Sequence, residues 1–185
     1  DAEFVRVRLR GIRSMLDEIL ALCESSGLLG RVPGWPFVDW VPEWDQGCGP
    51  GVRTGDSSIL NLHLLLALRA AAALEASFGE PELAALAQRR ASHLAESILS
   101  RFWCGRCGLL ADTSERIYFS EHAQALGLLA GLTPPGGQSP WIDAWLTAGD
   151  LAKATIYFSF YVLEALFQAG RGTELHKRLR FWHSV

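Results

Sequence analysis

The sequence lacks the charge pattern and the long apolar runs that mark nucleic-acid-binding and membrane-spanning proteins. Lys and Arg number 17 against 20 for Asp and Glu, which gives a formal net charge of −3. Phosphate recognition normally requires a clustered excess of basic residues. A membrane span requires roughly 18 consecutive apolar residues, whereas the apolar run from Leu64 to Leu68 ends at Arg69. We therefore expect neither a nucleic-acid partner nor a membrane.

Cysteine is scarce, and its spacing is not that of a small disulfide scaffold. The chain of 185 residues has four cysteines, Cys23, Cys48, Cys104 and Cys107, and a core of this size needs no cross-links. This favours a reducing compartment such as the cytoplasm. Near Asp1 there is no basic region followed by an apolar stretch, so the sequence predicts no targeting segment there.

The motif Cys104-Gly105-Arg106-Cys107 has the spacing of half a zinc site. A structural zinc site uses four ligands, and no second pair of Cys or His residues lies at a matching distance in the sequence. We therefore predict no metal and no other cofactor. The motif is interpreted as a turn at a loop tip that can be oxidised.

Apolar residues recur at three- and four-residue spacing in seven segments, and this period predicts helices. The first helix is expected from Gly11 to near Gly27, and the alternation before Gly11 fits a strand equally well. The other six are predicted at residues 59–78, 81–102, 121–131, about 139–146, 155–169 and from 173 onward.

Segments that are apolar on all sides alternate with segments that are apolar on one face. A two-layer fold with inner and outer helices explains this order. The loops at residues 28–55 and 104–119 are long, and antiparallel hairpins place both at the N-terminal ends of the inner helices. Long loops on a rigid scaffold commonly carry binding sites. The sequence therefore predicts one all-α domain over residues 1–185, built of antiparallel hairpins, with a site at this end.

Four stretches resemble the catalytic domain of the alpha-L-rhamnosidases, and they occur in the family's order. They are WPFVDW at 35–40, RFW at 101–103 with GLLADT at 108–113, SEHAQAL at 120–126, and TIYFSFYVLEAL at 155–166. The resemblance implies about half of a six-hairpin α/α toroid, with a sugar pocket at the N-terminal ends of its inner helices. It also implies an inverting hydrolysis by one carboxylic acid and one carboxylate.

The same resemblance bears on the catalytic residues. It implies that the segment supplying the general acid precedes Asp1 and that the segment supplying the general base follows Val185. We therefore expect a fragment that lacks both groups, and no catalytic residue is assigned within it. The parent protein is expected to remove terminal rhamnose-like sugars from glycosides, and the isolated chain is expected to be inactive.

Eight residues are predicted to bind the sugar, because indole faces stack on the C–H faces of a pyranose and carboxylates accept hydrogen bonds from its hydroxyls. His122 and Tyr157 are expected in the first turns of inner helices, where they would point at the pocket. The alternative is that the aromatic residues only plug the loop, that the acids are solvated, and that His122 and Tyr157 are satisfied core residues. The six loop residues are Trp35, Asp39, Trp40, Glu43, Trp44 and Asp45.

Two other functions and one assembly state follow from the same patterns. The main alternative is a non-catalytic helical module that binds carbohydrate or a protein through the same loops. Another enzyme on this scaffold, such as a sugar epimerase, also stays open, whereas a terpenoid-type cyclase is disfavoured because no Asp-rich diphosphate motif is present. An open arc of hairpins would expose apolar surface on its inner helices, so we expect a homodimer.

Overall fold

The structure is a computed structural model that describes residues 2–183. For residues 181–183 it describes the backbone alone. The ends of the predicted domain, at Asp1 and at Ser184 and Val185, lie outside the described residues. Within that range the fold is all-α, as the sequence predicts. The helices are α1 (Ala2–Leu20), α2 (Ser58–Phe78), α3 (Pro81–Phe102), α4 (Glu121–Leu129), α5 (Gln138–Thr147), α6 (Ser159–Gln168) and α7 (Gly172–His183).

The helices form two layers. The inner helices α2, α4 and α6 pack side by side, with α4 between the other two, while α1 and α3 cover α2, α5 covers α4, and α7 covers α6. Short connections such as Gly79 and Glu80, between α2 and α3, make consecutive helices antiparallel hairpins. The expected alternation of inner and outer helices is confirmed.

Local signals explain where the inner helices begin. The Ser57 side chain accepts a hydrogen bond from the N–H of Leu60 at the start of α2, and Ser120 accepts one from Ala123 at the start of α4. Each of these serines satisfies an N–H group that the helix itself leaves unpaired. The predicted starts of α2 and α4 are therefore confirmed to within one residue.

The only named sheet among residues 2–183 is a two-stranded ribbon in the loop after α3. Strand β1 (Trp103–Cys104) pairs antiparallel with β2 (Leu109–Leu110). The buried Gln124 of α4 holds this ribbon, because its amide accepts from Leu110 N at 3.0 Å and donates to Leu110 O at 2.7 Å. The expectation of no sheet beyond short loop ribbons is confirmed.

Two helices, α1 and α6, have boundaries that differ clearly from the sequence prediction. The first helix is already formed at Ala2 and ends at Leu20. Apolar periodicity continues beyond that point, but the chain turns at Gly27, with φ +79°, so that Cys23 and Leu29 form a β-bridge. At the other boundary, α6 begins at Ser159 instead of residue 155, because Thr155 is bound to the distant Asp39 described below.

Burial also differs along the inner layer. The first seven residues of α4 are all buried, but Phe160 and Phe167 of α6 are 67% and 71% exposed. Although residues 155–169 are apolar on all sides, one face of α6 has no neighbouring helix among residues 2–183 and stays exposed. Such exposed apolar surface on an inner helix is what the sequence predicts for an open arc of hairpins. Helix α2 alone among the described helices is long and apolar enough to cross a membrane, and half of its most apolar window is buried in this fold.

Candidate functional site

The loop between α1 and α2 is fastened to the inner helices by the carboxylate of Asp39, which has no exposed surface. Its Oδ2 accepts hydrogen bonds from His122 Nε2 and from Thr155 N, both at 2.8 Å. Its Oδ1 accepts from Trp40 N at 2.9 Å and from the Thr155 hydroxyl. Burial alone would raise the pKa of Asp39, but the hydrogen bonds from His122 and Thr155 outweigh it and hold the pKa below its usual value.

His122 lies in the first turn of α4, as predicted, and is completely buried. Its imidazole is sandwiched between Trp44, at a centroid distance of 4.5 Å, and Phe158, at 4.2 Å. Nδ1 has no hydrogen-bond partner among the described residues. Because its Nε2 is hydrogen-bonded to Asp39, His122 anchors the loop to the buried side of the site. It has no exposed surface with which to contact a ligand.

Four aromatic side chains form a cluster on the outer side of this loop. Phe37 lies at the centre, with ring centroids 5.5 Å from Trp35, 5.0 Å from Trp40 and 5.9 Å from Tyr157. Trp35, Trp40 and Tyr157 are 58%, 60% and 62% exposed. Trp35 Nε1 donates to the carbonyl oxygen of Gln46 at 2.9 Å, which fixes that ring. We call these four residues the aromatic cluster.

Tyr157 reaches the cluster from a different position than the sequence predicts. It lies two residues before α6, in the turn that follows Thr155, and not in the first turn of the helix. The turn is held by Asp39, so the ring points outward and joins the loop aromatics. The predicted placement of Tyr157 in the first turn of the helix is therefore wrong.

Beside the cluster, the same loop lines a cleft of about 660 Å³ that also receives residues from the loops before α4 and α6. Trp44 presents one edge to this cleft, although most of its ring is buried against His122. The polar and aromatic groups that line it are Glu43, Trp44, Asp112, Tyr118, Phe119, Asp150 and Lys153. We call this space the cleft.

Asp112 is the buried carboxyl of the cleft. Its Oδ1 accepts a hydrogen bond from the Ser120 hydroxyl at 2.6 Å, while Oδ2 has no partner among the described residues. Burial raises the pKa of Asp112 to about 7, because a single hydroxyl donor does not compensate for the lost solvation of the charge. The carboxyl is therefore substantially protonated near neutral pH, so it can both donate and accept a hydrogen bond.

The two remaining predicted acids are exposed. Glu43 lines the cleft with its side chain open to solvent. Asp45 is 75% exposed and lies 3.1 Å from Arg53 Nη2. The structure thus separates the eight predicted residues into an aromatic surface, a cleft edge, a buried support and one solvent-exposed ion pair.

Sequence reasoning did not identify Thr155, Tyr118 or Lys153 as part of this region. The apolar period begins beside Thr155 and therefore predicts that this residue is helical. Its contact with Asp39 joins residues 116 positions apart, which no local pattern indicates. Tyr118 and Lys153 lie in loops without a local pattern. Among residues 2–183, no group of three or more His, Cys, Asp or Glu side chains is arranged to hold a metal ion.

No protein-family model matches this chain, and no curated protein matches it. Solved structures do match it, among them two rhamnosidases. A GH78 family rhamnosidase of Bacillus sp. GL1 matches with a TM-score of 0.82 and 28% identity, over 97% of this chain and 19% of that one. A rhamnosidase from Klebsiella oxytoca with rhamnose bound matches with a TM-score of 0.81 and 21% identity, over 97% of this chain and 33% of that one.

The chain thus spans 19% and 33% of the length of these two proteins. Each match covers 97% of this chain. The resemblance of this chain to the alpha-L-rhamnosidases is therefore confirmed at the level of the fold.

Proposed function

We propose that this chain is the sugar-binding part of a glycosidase domain of the six-hairpin toroid type, and that it binds a rhamnoside-like glycoside at the aromatic cluster and the cleft. The observation that carries the proposal is the pair of exposed indole rings, Trp35 and Trp40. Their loop is anchored by the buried Asp39, which is hydrogen-bonded to Thr155 before α6. Exposed aromatic rings held rigidly lose little conformational entropy when a ligand stacks on them.

The cleft supplies the polar half of such a site. A sugar hydroxyl can donate to Glu43 or Asp150 and accept from Lys153. Asp112 has no exposed surface and lies behind these groups, so we assign it no direct sugar contact. Sugar sites combine apolar ring faces with a few placed polar groups, and this end of the fold offers both. Asp39 and His122 have no exposed surface, so we assign them the positioning of Trp40 and Trp44 instead of sugar contact.

Catalysis by the isolated chain is not part of the proposal. An inverting glycosidase needs a general acid and a general base about 6.5–9.5 Å apart, and the family resemblance assigns both to segments outside residues 1–185. Each such group typically contributes a factor of about 10²–10⁴ to the rate. We therefore expect no measurable turnover of an aryl rhamnoside. Turnover abolished by Asp39→Asn or Glu43→Gln would contradict this and place the catalytic pair within the chain.

Binding is tested by titrating methyl rhamnoside into the chain and following tryptophan fluorescence and heat. We expect saturable binding in the wild type and at least about a tenfold weaker Kd in Trp40→Ala, equivalent to about 1.4 kcal/mol. The matched control is Phe4→Ala, because Phe4 is also 59% exposed but lies on α1. No heat and no fluorescence change in the wild type, or equal weakening by both variants, would reject the proposed site.

A second candidate, a module that binds another protein, is supported by exposed apolar side chains on α6 and in the turn that precedes it. Ile156, Phe160 and Phe167 are 67%, 67% and 71% exposed, and exposed groups of large apolar residues commonly mark interaction surfaces. The occupant we propose is a second copy of this chain, giving a two-fold dimer. Sedimentation at micromolar concentration should give a dimer for the wild type and a 20.3 kDa monomer for Phe160→Glu combined with Phe167→Glu. A wild-type monomer would exclude it.

A further inference from the structure

Cys104 and Cys107 lie at the two ends of the tight turn that joins β1 to β2. The N–H groups of Cys107 and Gly108 both donate to the carbonyl oxygen of Cys104, at 3.1 and 2.8 Å. Gly108 has φ +65°, a conformation that most residues with a side chain avoid. The turn places the two Sγ atoms on the same side, 2.7 Å apart.

The ribbon that carries this turn is anchored at both strands. Trp103 packs edge-on against Trp141 of α5, with ring centroids 5.7 Å apart, and Gln124 binds both backbone groups of Leu110. A disulfide has an S–S length of about 2.03–2.05 Å, so a bond between Cys104 and Cys107 requires the sulfurs to approach by only about 0.7 Å. The ribbon therefore need not move for the bond to form.

The two thiols differ in accessibility and in their surroundings. Cys104 is 6% exposed, whereas Cys107 is half-buried. Burial raises the pKa of the Cys104 thiol, but hydrogen bonds from Cys107 and the charge of Arg106 outweigh it and lower that pKa overall. The hydrogen bond with Cys104 and burial raise the pKa of Cys107. Two thiols without further ligands do not make a structural zinc site.

We propose that Cys104 and Cys107 are an oxidisable dithiol that exchanges with a small-molecule disulfide such as glutathione disulfide. Cys107 is the thiol that the reagent can reach, so although its pKa is raised, its thiolate, formed by losing a proton to solvent, attacks one sulfur of the reagent and releases one glutathione thiolate. Cys104 then attacks Cys107 Sγ as a thiolate, forms the intramolecular disulfide and releases the second glutathione. The protein pair loses two electrons and two protons, and the reagent is reduced to two thiols.

The test is an incubation of the full chain with glutathione disulfide, followed by thiol counting and mass mapping of the peptide that contains residues 104–107. Of the four thiols in the sequence, we expect the wild type to lose two without retaining glutathione, and dithiothreitol to restore both. Cys104→Ser should instead accumulate one glutathione on Cys107, because the second thiol is absent. Cys23→Ser combined with Cys48→Ser is the matched control and should still lose both remaining thiols.

Three results would overturn the proposal. They are retention of all four thiols, glutathione that stays on Cys107 in the wild type as it does in Cys104→Ser, and a disulfide that maps to Cys23 or Cys48. Far-ultraviolet circular dichroism establishes that each variant is folded. If Cys104→Ser does not fold, the mapping of the wild-type disulfide still decides between the outcomes.

Discussion

Two buried carboxyl groups at the same end of the molecule, Asp39 and Asp112, have pKa values that are shifted in opposite directions. Asp39 accepts four hydrogen bonds, from His122, Trp40 and two groups of Thr155. Asp112 accepts one, from Ser120. Neither side chain has exposed surface, but Asp112 lies deeper in the protein than Asp39, so the opposite pKa shifts come from the stronger desolvation of Asp112 together with its smaller number of donors.

This difference separates a carboxylate that is fully hydrogen-bonded from a buried carboxyl that is not. A carboxylate whose lone pairs are occupied holds its neighbours in place, and Asp39 connects loop 35–48 to α4 and to the turn before α6. A carboxyl with an unpaired oxygen at a cleft keeps hydrogen-bonding capacity for something else. The comparison therefore assigns Asp39 to the support of the site and Asp112 to its interior.

The largest expected effect concerns the titration of Asp112. Its folded pKa of about 7 lies above the ordinary value of 3.8, so the folded state binds its proton more tightly than the unfolded state does. The stability from this group is complete below about pH 4, declines as pH rises, and is lost above about pH 7, a change on the order of 4 kcal/mol. Urea unfolding of the wild type and Asp112→Asn across pH 4 to 8 measures it. Parallel pH profiles for the two proteins would show that Asp112 is not perturbed.

A smaller loss of stability is expected from Asp39→Asn at neutral pH. The amide keeps the shape of the side chain but turns one acceptor into a donor facing Thr155 or His122, which costs about 1–3 kcal/mol. Because the pKa of Asp39 is lowered, the stability it contributes is present above about pH 4 and is lost as pH falls further. The wild type should therefore lose its advantage over Asp39→Asn in acid, a window that does not overlap with that of Asp112. An unchanged free energy of unfolding at pH 7 would remove Asp39 from the support of the loop.

The helices could be predicted from the sequence because their causes are local. The starts of α2 and α4 follow from Ser57 and Ser120, which cap the next turn, and from the apolar period that follows each serine. The start of α6 could not, because Thr155 gives its N–H and hydroxyl to a carboxylate 116 positions away. Apolar periodicity indicates which side chains are buried. It does not indicate which backbone N–H groups are hydrogen-bonded to a side chain far away in the sequence.

The candidate site shows the same limit. The types of residue were predictable, since Trp35, Trp40 and Glu43 are indole and carboxylate groups in one long loop. Their division into exposed and buried members was not, because it depends on the contact between Asp39 and His122, 83 positions apart. The raised pKa of Asp112 depends first on its burial and then on how few donors reach it in three dimensions, and neither leaves a trace in the sequence.

The smallest effect is expected at Asp45, which lies in the same loop as Asp39 but on its exposed side. Its ion pair with Arg53 joins side chains that are 75% and 45% exposed, and exposed pairs of this kind contribute about 0–1 kcal/mol because solvent and salt screen them. Asp45→Asn should therefore change the free energy of unfolding by less than about 1 kcal/mol and leave rhamnoside binding unchanged. Urea unfolding at low and at 1 M salt measures this against Asp39→Asn. If the two substitutions proved equally costly, the loop would not depend on buried hydrogen bonds, and the contrast between its supporting and exposed acids would be wrong.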